Sequence, residues 1–243
     1  MNTLSERYIA GEVEDVWKGL IDLGPKVLDP EYNEETNLIL DIATQHIQYN
    51  LEVIHRELLY YGYVFTEFES GEPAHTLRHE PLLINTKKDE ERVKNLNLLH
   101  EEYGKIPLIF SKILERIHHV EFVGYFSNWE HPFLLDALQI YPIEGLECEP
   151  DEDDGIYSLC FCLDQFHKED ISGAGGYNIS LTPEIAIDSK ILRYDIDIYF
   201  MDYLRDAFKW AGFPGFEYLH ESLTIPDNIM EFILKVRSQM IPV

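Results

Sequence analysis

The chain has 243 residues, of which 45% are hydrophobic and 13% aromatic, enough for a packed core and too many for a disordered chain. Its 19 Lys and Arg stand against 45 Asp and Glu, and the net charge of −26 disfavours binding to nucleic acid or anionic lipid. No stretch approaches the roughly 20 apolar residues of a membrane span, and acidic residues occupy the place of a signal peptide's apolar core. The three cysteines are an odd number, which suits a reducing compartment. We therefore expect a cytoplasmic globular protein without nucleic-acid or membrane partners.

The N-terminal part has the periodicity of helices. A first helix is predicted over residues 13–23, ended by Gly24-Pro25, and a long one over residues 34–61, ended by Gly62. The long helix repeats apolar residues at steps of mostly three or four, namely Leu38, Ile42, Ile47, Leu51, Ile54, Leu58 and Tyr61. Residues 1–62 are thus predicted to form a helical arm.

Strands are predicted in the middle of the chain. Residues 63–68 alternate as a strand does, and Pro73 and Pro81 bracket a predicted loop. Two helices follow, one from Thr86 to Gly104 and one that starts at Pro107 and ends at His118-His119. The remaining predicted strands cover residues 121–126, 138–141, 156–163, 177–181 and 186–188.

Helices close the chain, at residues 199–210 and after Asp227, which is predicted to cap the last one. Helices at both ends with strands between them indicate an α+β fold, not an alternating α/β fold. We predict a mostly antiparallel central sheet flanked by helices, with a helical N-terminal arm. The whole chain, residues 1–243, is predicted to be a single domain, with its sheet in residues 63–243.

An acidic segment lies between Glu144 and Asp154, with seven acids and no Lys or Arg. Such a block is typical of a solvated loop, and secondarily of an interaction surface. Because an acidic surface attracts a basic protein, we predict a protein partner, and a basic one. The predicted binding residues in this segment are Glu149, Asp151, Glu152, Asp153 and Asp154.

A glycine-rich stretch at residues 172–176 is the second candidate site. No Gly-Lys-Ser/Thr follows it, so it is not a nucleotide-binding P-loop, and it is typical of a loop between strands. Backbone N–H groups in such a loop can also bind an anion. In that alternative Lys168, Ser172 and Gly173 hold the anion, and Tyr177 or Arg205 completes the pocket of a small-molecule binder or enzyme.

Signatures of catalysis and metal binding are weak. The chain has no Gly-x-Ser-x-Gly elbow. An EF-hand centred on Gly155 would place Phe161 at its twelfth position, where a carboxylate is required. Cys160 and Cys162 point to one face of a predicted strand and are typical of a core. We predict no catalytic residue, no metal site and no cofactor.

Several motifs spread over most of the chain from about residue 20 resemble those of an uncharacterised bacterial protein family. They are Glu35, Asn50, Arg56, Leu58, Gly62-Tyr63-x-Phe65, Gly104-x-Ile106-Pro107, Val123-Gly124, Leu134–Leu138, Asp164, His167-Lys168, Ser172-Gly173, Tyr177–Ile179, Asp188, Asp202–Arg205, Trp210 and Gly212–Gly215. The middle and C-terminal parts are also similar, more distantly, to the SUKH superfamily.

The resemblance to the SUKH superfamily implies a sheet flanked by helices and a binding function. Many members are immunity proteins, which neutralise toxins delivered by competing bacteria. The expectation is therefore an immunity-type inhibitor of a basic toxin. The alternatives are the anion or small-molecule site above and a regulatory scaffold that docks through its helical arm.

Overall fold

The computed structural model describes residues 3–69, 72–85, 90–129, 136–150, 156–163, 176–192 and 197–243. The fold is α+β, with helices towards both ends of the chain and antiparallel strands between them, as the order of elements predicts. In this part of the chain, no helix combines the length and the apolar character that crossing a membrane requires.

The helices agree closely with their sequence patterns. They are α1 (Leu4–Ile9), α2 (Val13–Leu23), α3 (Asn33–Tyr60), α4 (Glu90–Glu102), α5 (Leu108–Arg116), α6 (Phe200–Lys209), α7 (Phe216–Leu219) and α8 (Asp227–Arg237). The short helices α1 and α7 were not predicted, although Thr3 and Glu6 form a capping box at the start of α1. Residues 86–89, with the predicted start of α4, lie outside the described residues.

Within the described residues, the strands form three small antiparallel sheets. They are β1 (Tyr63–Glu69), β2 (Glu72–Leu77), β3 (Leu82–Ile84), β4 (Ile117–Glu121), β5 (Gly124–Phe126), β6 (Gln139–Ile140), β7 (Glu147–Pro150), β8 (Tyr157–Cys162), β9 (Tyr177–Ser180) and β10 (Ile191–Leu192). The strand orders are β2-β1-β5, β3-β4-β6 and β10-β9-β8-β7. The antiparallel pairing is confirmed, and the strands are divided among three sheets.

The helix α3 runs through the core instead of standing apart from it. It contacts α1, α5, α6, α8 and β1. Ile47, Leu51, Ile54 and Leu58 are fully buried, as predicted, whereas Leu38 is 45% exposed and the neighbouring Ile39 is buried in its place. The N-terminal helices thus share one hydrophobic core with the sheets.

Two loop predictions are wrong because strands occupy those residues. The predicted loop between Pro73 and Pro81 contains β2, at the edge of its sheet, where the missing N–H of a proline is tolerated. The predicted acidic loop contains a 3-10 turn, Ile143–Gly145, followed by β7, in which Cys148 packs against the core and Glu147 is exposed.

Two element ends and one predicted strand also differ from the structure. His118 and His119 lie in β4, because Ile117 already has an extended backbone and ends α5. Pro226 is the N-cap of α8, and no side-chain cap hydrogen bond is made there, so Asp227 is the first helical residue and not the cap. The predicted strand over 186–188 does not form, and the adjacent residues Ile191–Leu192 pair with β9 instead.

The C-terminal residues lie along α3 and reach α6. The Asn50 side chain accepts a hydrogen bond from the Ile241 N–H at 2.9 Å and donates one to the Ile241 carbonyl at 2.8 Å. A ring nitrogen of His46 lies 2.8 Å from the Pro242 carbonyl. These contacts place Pro242 and Val243 beside the candidate site.

Candidate functional site

The structure describes only part of the two sites predicted from sequence. Glu149 belongs to the backbone of β7, whereas Asp151–Asp154 lie outside the described residues. The same holds for Lys168, Ser172 and Gly173 of the glycine-rich site. Their roles in binding stay predictions.

Part of the acidic segment forms the last strand in the order of the four-stranded sheet, within the described part of the chain. β7 ends the strand order β10-β9-β8-β7 and pairs antiparallel with β8, with Glu147 opposite Cys160 and Pro150 opposite Tyr157. Its last residue leads directly into the predicted binding residues Asp151–Asp154. The predicted binding segment therefore follows in sequence from the last strand of the four-stranded sheet in the described part of the chain.

Tyr177 lies in the core, only 2% exposed. Its hydroxyl donates a 2.6 Å hydrogen bond to Oδ2 of Asp136, a buried residue with a φ of +55°. The Tyr177 ring packs against Tyr203, on the buried face of α6. A role for Tyr177 in ligand binding stays a prediction, and the structure assigns its hydroxyl to an internal hydrogen bond.

A groove of about 760 Å³ opens between the N-terminal helices and α6. We call it the α2–α6 groove; it is lined by Gly11–Asp15, Asp202, Arg205, Asp206, Lys209 and Pro242–Val243. Its volume is in the range of sites that hold small ligands or single side chains. It is the candidate site that the described residues form.

The sequence of α6 creates one wall of this groove. Asp202, Arg205, Asp206 and Lys209 follow helical spacing and share one face, while Tyr203, Leu204, Ala207 and Phe208 are buried on the other. The sequence predicts this helix, but no role was assigned to its polar face. Because Arg205 faces the groove, it lies on a different face of α6 from the residue that contacts Tyr177.

A buried carboxylate joins the two helical walls. Oδ2 of Asp188 accepts hydrogen bonds from the Trp17 indole on α2 at 3.0 Å and from the Met201 N–H on α6 at 3.3 Å. Burial raises the pKa of Asp188 to about 6, although these two bonds and one from the Ser189 N–H act to lower it. Asp188 thus fixes α2 against the start of α6.

The cations of the groove are already paired. Arg205 donates from Nη1 to Asp202 at 2.6 Å and from Nε to the Val243 main-chain oxygen at 2.7 Å. Its remaining nitrogen, Nη2, is buried without a hydrogen-bond partner among the described residues, and so is the hydroxyl of Tyr8. Lys209 forms an ion pair with Glu217.

Three carboxylates that line the groove belong to no ion pair formed by the described residues. Glu14, Asp15 and Asp206 make no ion pair or hydrogen bond through their side chains within the part of the chain that is described. Glu14 and Asp15 occupy the first turn of α2, where the helix dipole favours negative charge. The pKa of Asp206 is raised to about 6, first by burial and then by the charges of Glu217 and Asp202, while Lys209 acts to lower it.

Comparisons with known protein families, curated proteins and solved structures gave no match. Among the described residues, no three His, Cys, Asp or Glu side chains are grouped closely enough to hold a metal ion. What the site can do therefore follows from its charges. A half-buried carboxylate without a partner favours the approach of a cation.

Proposed function

We propose that the protein is a non-enzymatic acidic module that binds a basic protein in the cytoplasm. The observation that carries the proposal is a net charge of −26 combined with an acidic segment that continues from the edge strand β7. Charge of this sign repels nucleic acid and anionic lipid and raises the rate at which a basic protein is encountered. The finer proposal is an immunity-type inhibitor of a basic toxin.

The position of β7 at the end of its sheet suggests how a partner could bind beside these acids. A strand at the edge of a sheet presents unpaired N–H and C=O groups, to which another chain can add a strand. Acidic side chains next to such an edge repel a second copy of this acidic chain and favour a partner of opposite charge. We propose that the segment from Glu147 to Asp154 contacts the partner in this way.

The mechanism of inhibition would be steric. The acidic segment lies over the basic substrate groove of the toxin and excludes the toxin's own substrate. Complementary charge contributes mainly to the association rate, which falls as salt screens it.

The test neutralises five acids of the segment in one variant: Glu149→Gln, Asp151→Asn, Glu152→Gln, Asp153→Asn and Asp154→Asn. The matched control removes the same charge from exposed glutamates elsewhere: Glu31→Gln, Glu34→Gln, Glu90→Gln, Glu101→Gln and Glu221→Gln. The measurement is the association rate with the basic partner between low and high salt.

We expect association of the segment variant to be roughly tenfold or more slower at low salt, with a flatter salt dependence, because local steering charge is lost. The control should keep most of the wild-type rate. Equal rates for the two variants would show that total charge matters and that this segment is not the contact surface.

A further inference from the structure

We propose that α3 and α6 form a binding site for an extended peptide, and that the chain's own residues 240–243 occupy this site as a releasable strap. These four residues, called the strap below, follow the turn after α8, contact α3 and line the α2–α6 groove with their last two members. The ligand class is a peptide main chain with a branched aliphatic side chain at the position of Val243. The proposal does not depend on the acidic segment.

Side chains of two helices hold the strap through its main chain. The Asn50 side-chain amide donates to the Ile241 carbonyl at 2.8 Å and accepts from the Ile241 N–H at 2.9 Å. This double pairing is the one that a neighbouring β-strand offers to a residue. A ring nitrogen of His46 donates to the Pro242 carbonyl at 2.8 Å, and Nε of Arg205 donates to the Val243 main-chain oxygen at 2.7 Å. Because these bonds involve only main-chain atoms of the strap, they do not require its particular sequence.

The site has a fixed shape before any foreign peptide arrives. His46 and Asn50 lie one turn apart on α3, and α3 contacts α6, which carries Arg205. Polar groups that rigid helices hold in place lose little freedom when they bind a ligand. Ile241 precedes Pro242, and the position before a proline favours extended backbone. The site therefore suits an extended peptide.

The strap has few attachments to the rest of the chain. Residues 241–243 make no backbone–backbone hydrogen bond to any described residue, and the Met240 N–H bonds to the Arg237 carbonyl at the end of its own helix. Of the strap side chains, Val243 is buried and Met240 packs against the core, whereas Pro242 is exposed. The conformational entropy lost on ordering four residues offsets much of the gain from these contacts.

Segments with so few contacts open locally while the remaining fold persists. Release of the strap would widen the α2–α6 groove, because Pro242 and Val243 line it. It would also leave the side chains of Asn50, His46 and Arg205 open to a competing peptide. The strap thus acts as an intramolecular competitor for the site that it occupies.

Native-state hydrogen exchange tests the release of the strap. The Ile241 N–H is bonded to Asn50, so it exchanges when the strap leaves α3. We expect its exchange rate to stay constant over the low range of urea concentration, because local opening exposes little surface. The amide of Ile54, in the buried part of α3, should exchange faster as urea rises. The same urea dependence for both amides would show that the strap opens only on global unfolding, and would overturn the proposal.

An NMR titration of the full chain tests the site. The probe is the peptide acetyl-Met-Ile-Pro-Val-amide, which has the sequence of the strap. Val243→Ser weakens the strap, and the apparent affinity for a peptide rises with the fraction of open sites. We expect the probe to bind Val243→Ser at least about fivefold more tightly than it binds the wild type, with shifts around His46 and Asn50. Leu234→Ser, an exposed change on α8, is the matched control and should behave as the wild type.

Two methylated peptides test main-chain recognition. A methyl group on the isoleucine nitrogen removes the N–H that Asn50 accepts, and should weaken binding to Val243→Ser by roughly tenfold. A methyl group on the methionine nitrogen is the matched control, because the Met240 N–H bonds to Arg237 and not to α3 or α6. This control peptide should keep its affinity within about twofold.

Several results would overturn the proposal: no saturable binding to Val243→Ser, equal affinities of this variant and the wild type, or equal affinities of the two methylated peptides. Loss of the fold in Val243→Ser, measured by circular dichroism, would do the same, because the strap would then be part of the core. A concentration-dependent dimer of the wild type in sedimentation would assign the site to the strap of a second copy instead. The proposed function fails separately, through the association rates of the acidic-segment variants.

Discussion

Asp188 connects the stability of the fold to the shape of the groove. It is 4% exposed and accepts hydrogen bonds from the indole of Trp17 and from two backbone N–H groups, of Ser189 and Met201. Trp17 is itself buried, so water cannot replace the lost acceptor. The Asp188 side chain therefore holds α2 and α6 together through hydrogen bonds.

Asp188→Ala should lower the free energy of unfolding by about 3 kcal/mol, because buried donors are left unsatisfied and a small cavity remains. Urea unfolding followed by tryptophan fluorescence measures the change. Asp22→Ala, an exposed change on the same helix as Trp17, should cost less than about 0.5 kcal/mol. A small effect of Asp188→Ala would mean that other contacts hold α2 to α6.

The raised pKa of Asp188 also predicts how its contribution depends on pH. Its pKa is about 6 in the folded protein against 3.8 as the ordinary value, so the folded state binds the proton more tightly than the unfolded state. The stabilisation from that proton is complete below the unfolded pKa and is lost as the pH rises through 6.

Wild-type stability relative to Asp188→Asn should therefore fall between pH 5 and 7 and stay constant above 7. Asparagine does not titrate, so the difference isolates this group from the many other acids. Urea unfolding of both proteins from pH 5 to 8 measures this difference. The whole range lies above the isoelectric point of about 4.6. A difference that grows with pH would reverse the sign of the pKa shift and contradict the prediction.

Two glycines differ in whether their position can accept a side chain: Gly124 lies in a strand and Gly19 in a helix. A Cβ on Gly124 would collide with the Val64 carbonyl oxygen, inside the pairing of β1 with β5. A Cβ on Gly19, within α2, would have nothing within 4 Å. The first position requires glycine, and the second does not.

Gly124→Ala should destabilise the protein by about 3 kcal/mol or more, because two paired backbones must separate. Gly19→Ala should stabilise it by about 0.5 to 1 kcal/mol, the difference in helix propensity. Thermal unfolding should show a lower melting temperature for Gly124→Ala and a higher one for Gly19→Ala. A neutral Gly124→Ala would mean that β5 can shift away from β1 without loss.

Helices with several turns were predictable, because their apolar residues repeat often enough to define a face and a breaker follows. The predicted helix over 13–23 coincides with α2, and α3 differs by one residue at each end. Strands of two or three residues, such as β3 and β10, are too short for an alternating pattern and were not predicted. Tertiary pairing, which a local pattern does not contain, determines them.

The site was predictable only in part. The polar face of α6 could have been identified from the spacing of Asp202, Arg205, Asp206 and Lys209 on a helix whose other face is apolar. The opposite wall could not, because Gly11–Asp15 lies about 190 residues earlier in the chain and meets α6 only through the fold. The spacing of residues in a motif describes one segment of the chain, whereas three distant segments line this groove.

At the level of the whole molecule, the excess of acids links these features. A net charge of −26 destabilises the compact state through self-repulsion, so it is a cost that a binding function would explain. The proposed basic partner would offset part of this repulsion when it binds next to the acidic segment. Because the partner would bind only the folded chain, its binding should also raise the free energy of unfolding.

The central claim is that the chain binds a basic protein through charge. The most direct measurement is a pull-down with the tagged chain from lysates of the source organism and of competing bacteria, at low and high salt, with mass spectrometry of the retained proteins. We predict that one basic protein is retained stoichiometrically at low salt, and is lost at high salt and from the variant with five acids neutralised. No retained protein at either salt concentration, or equal retention by that variant, would contradict the claim.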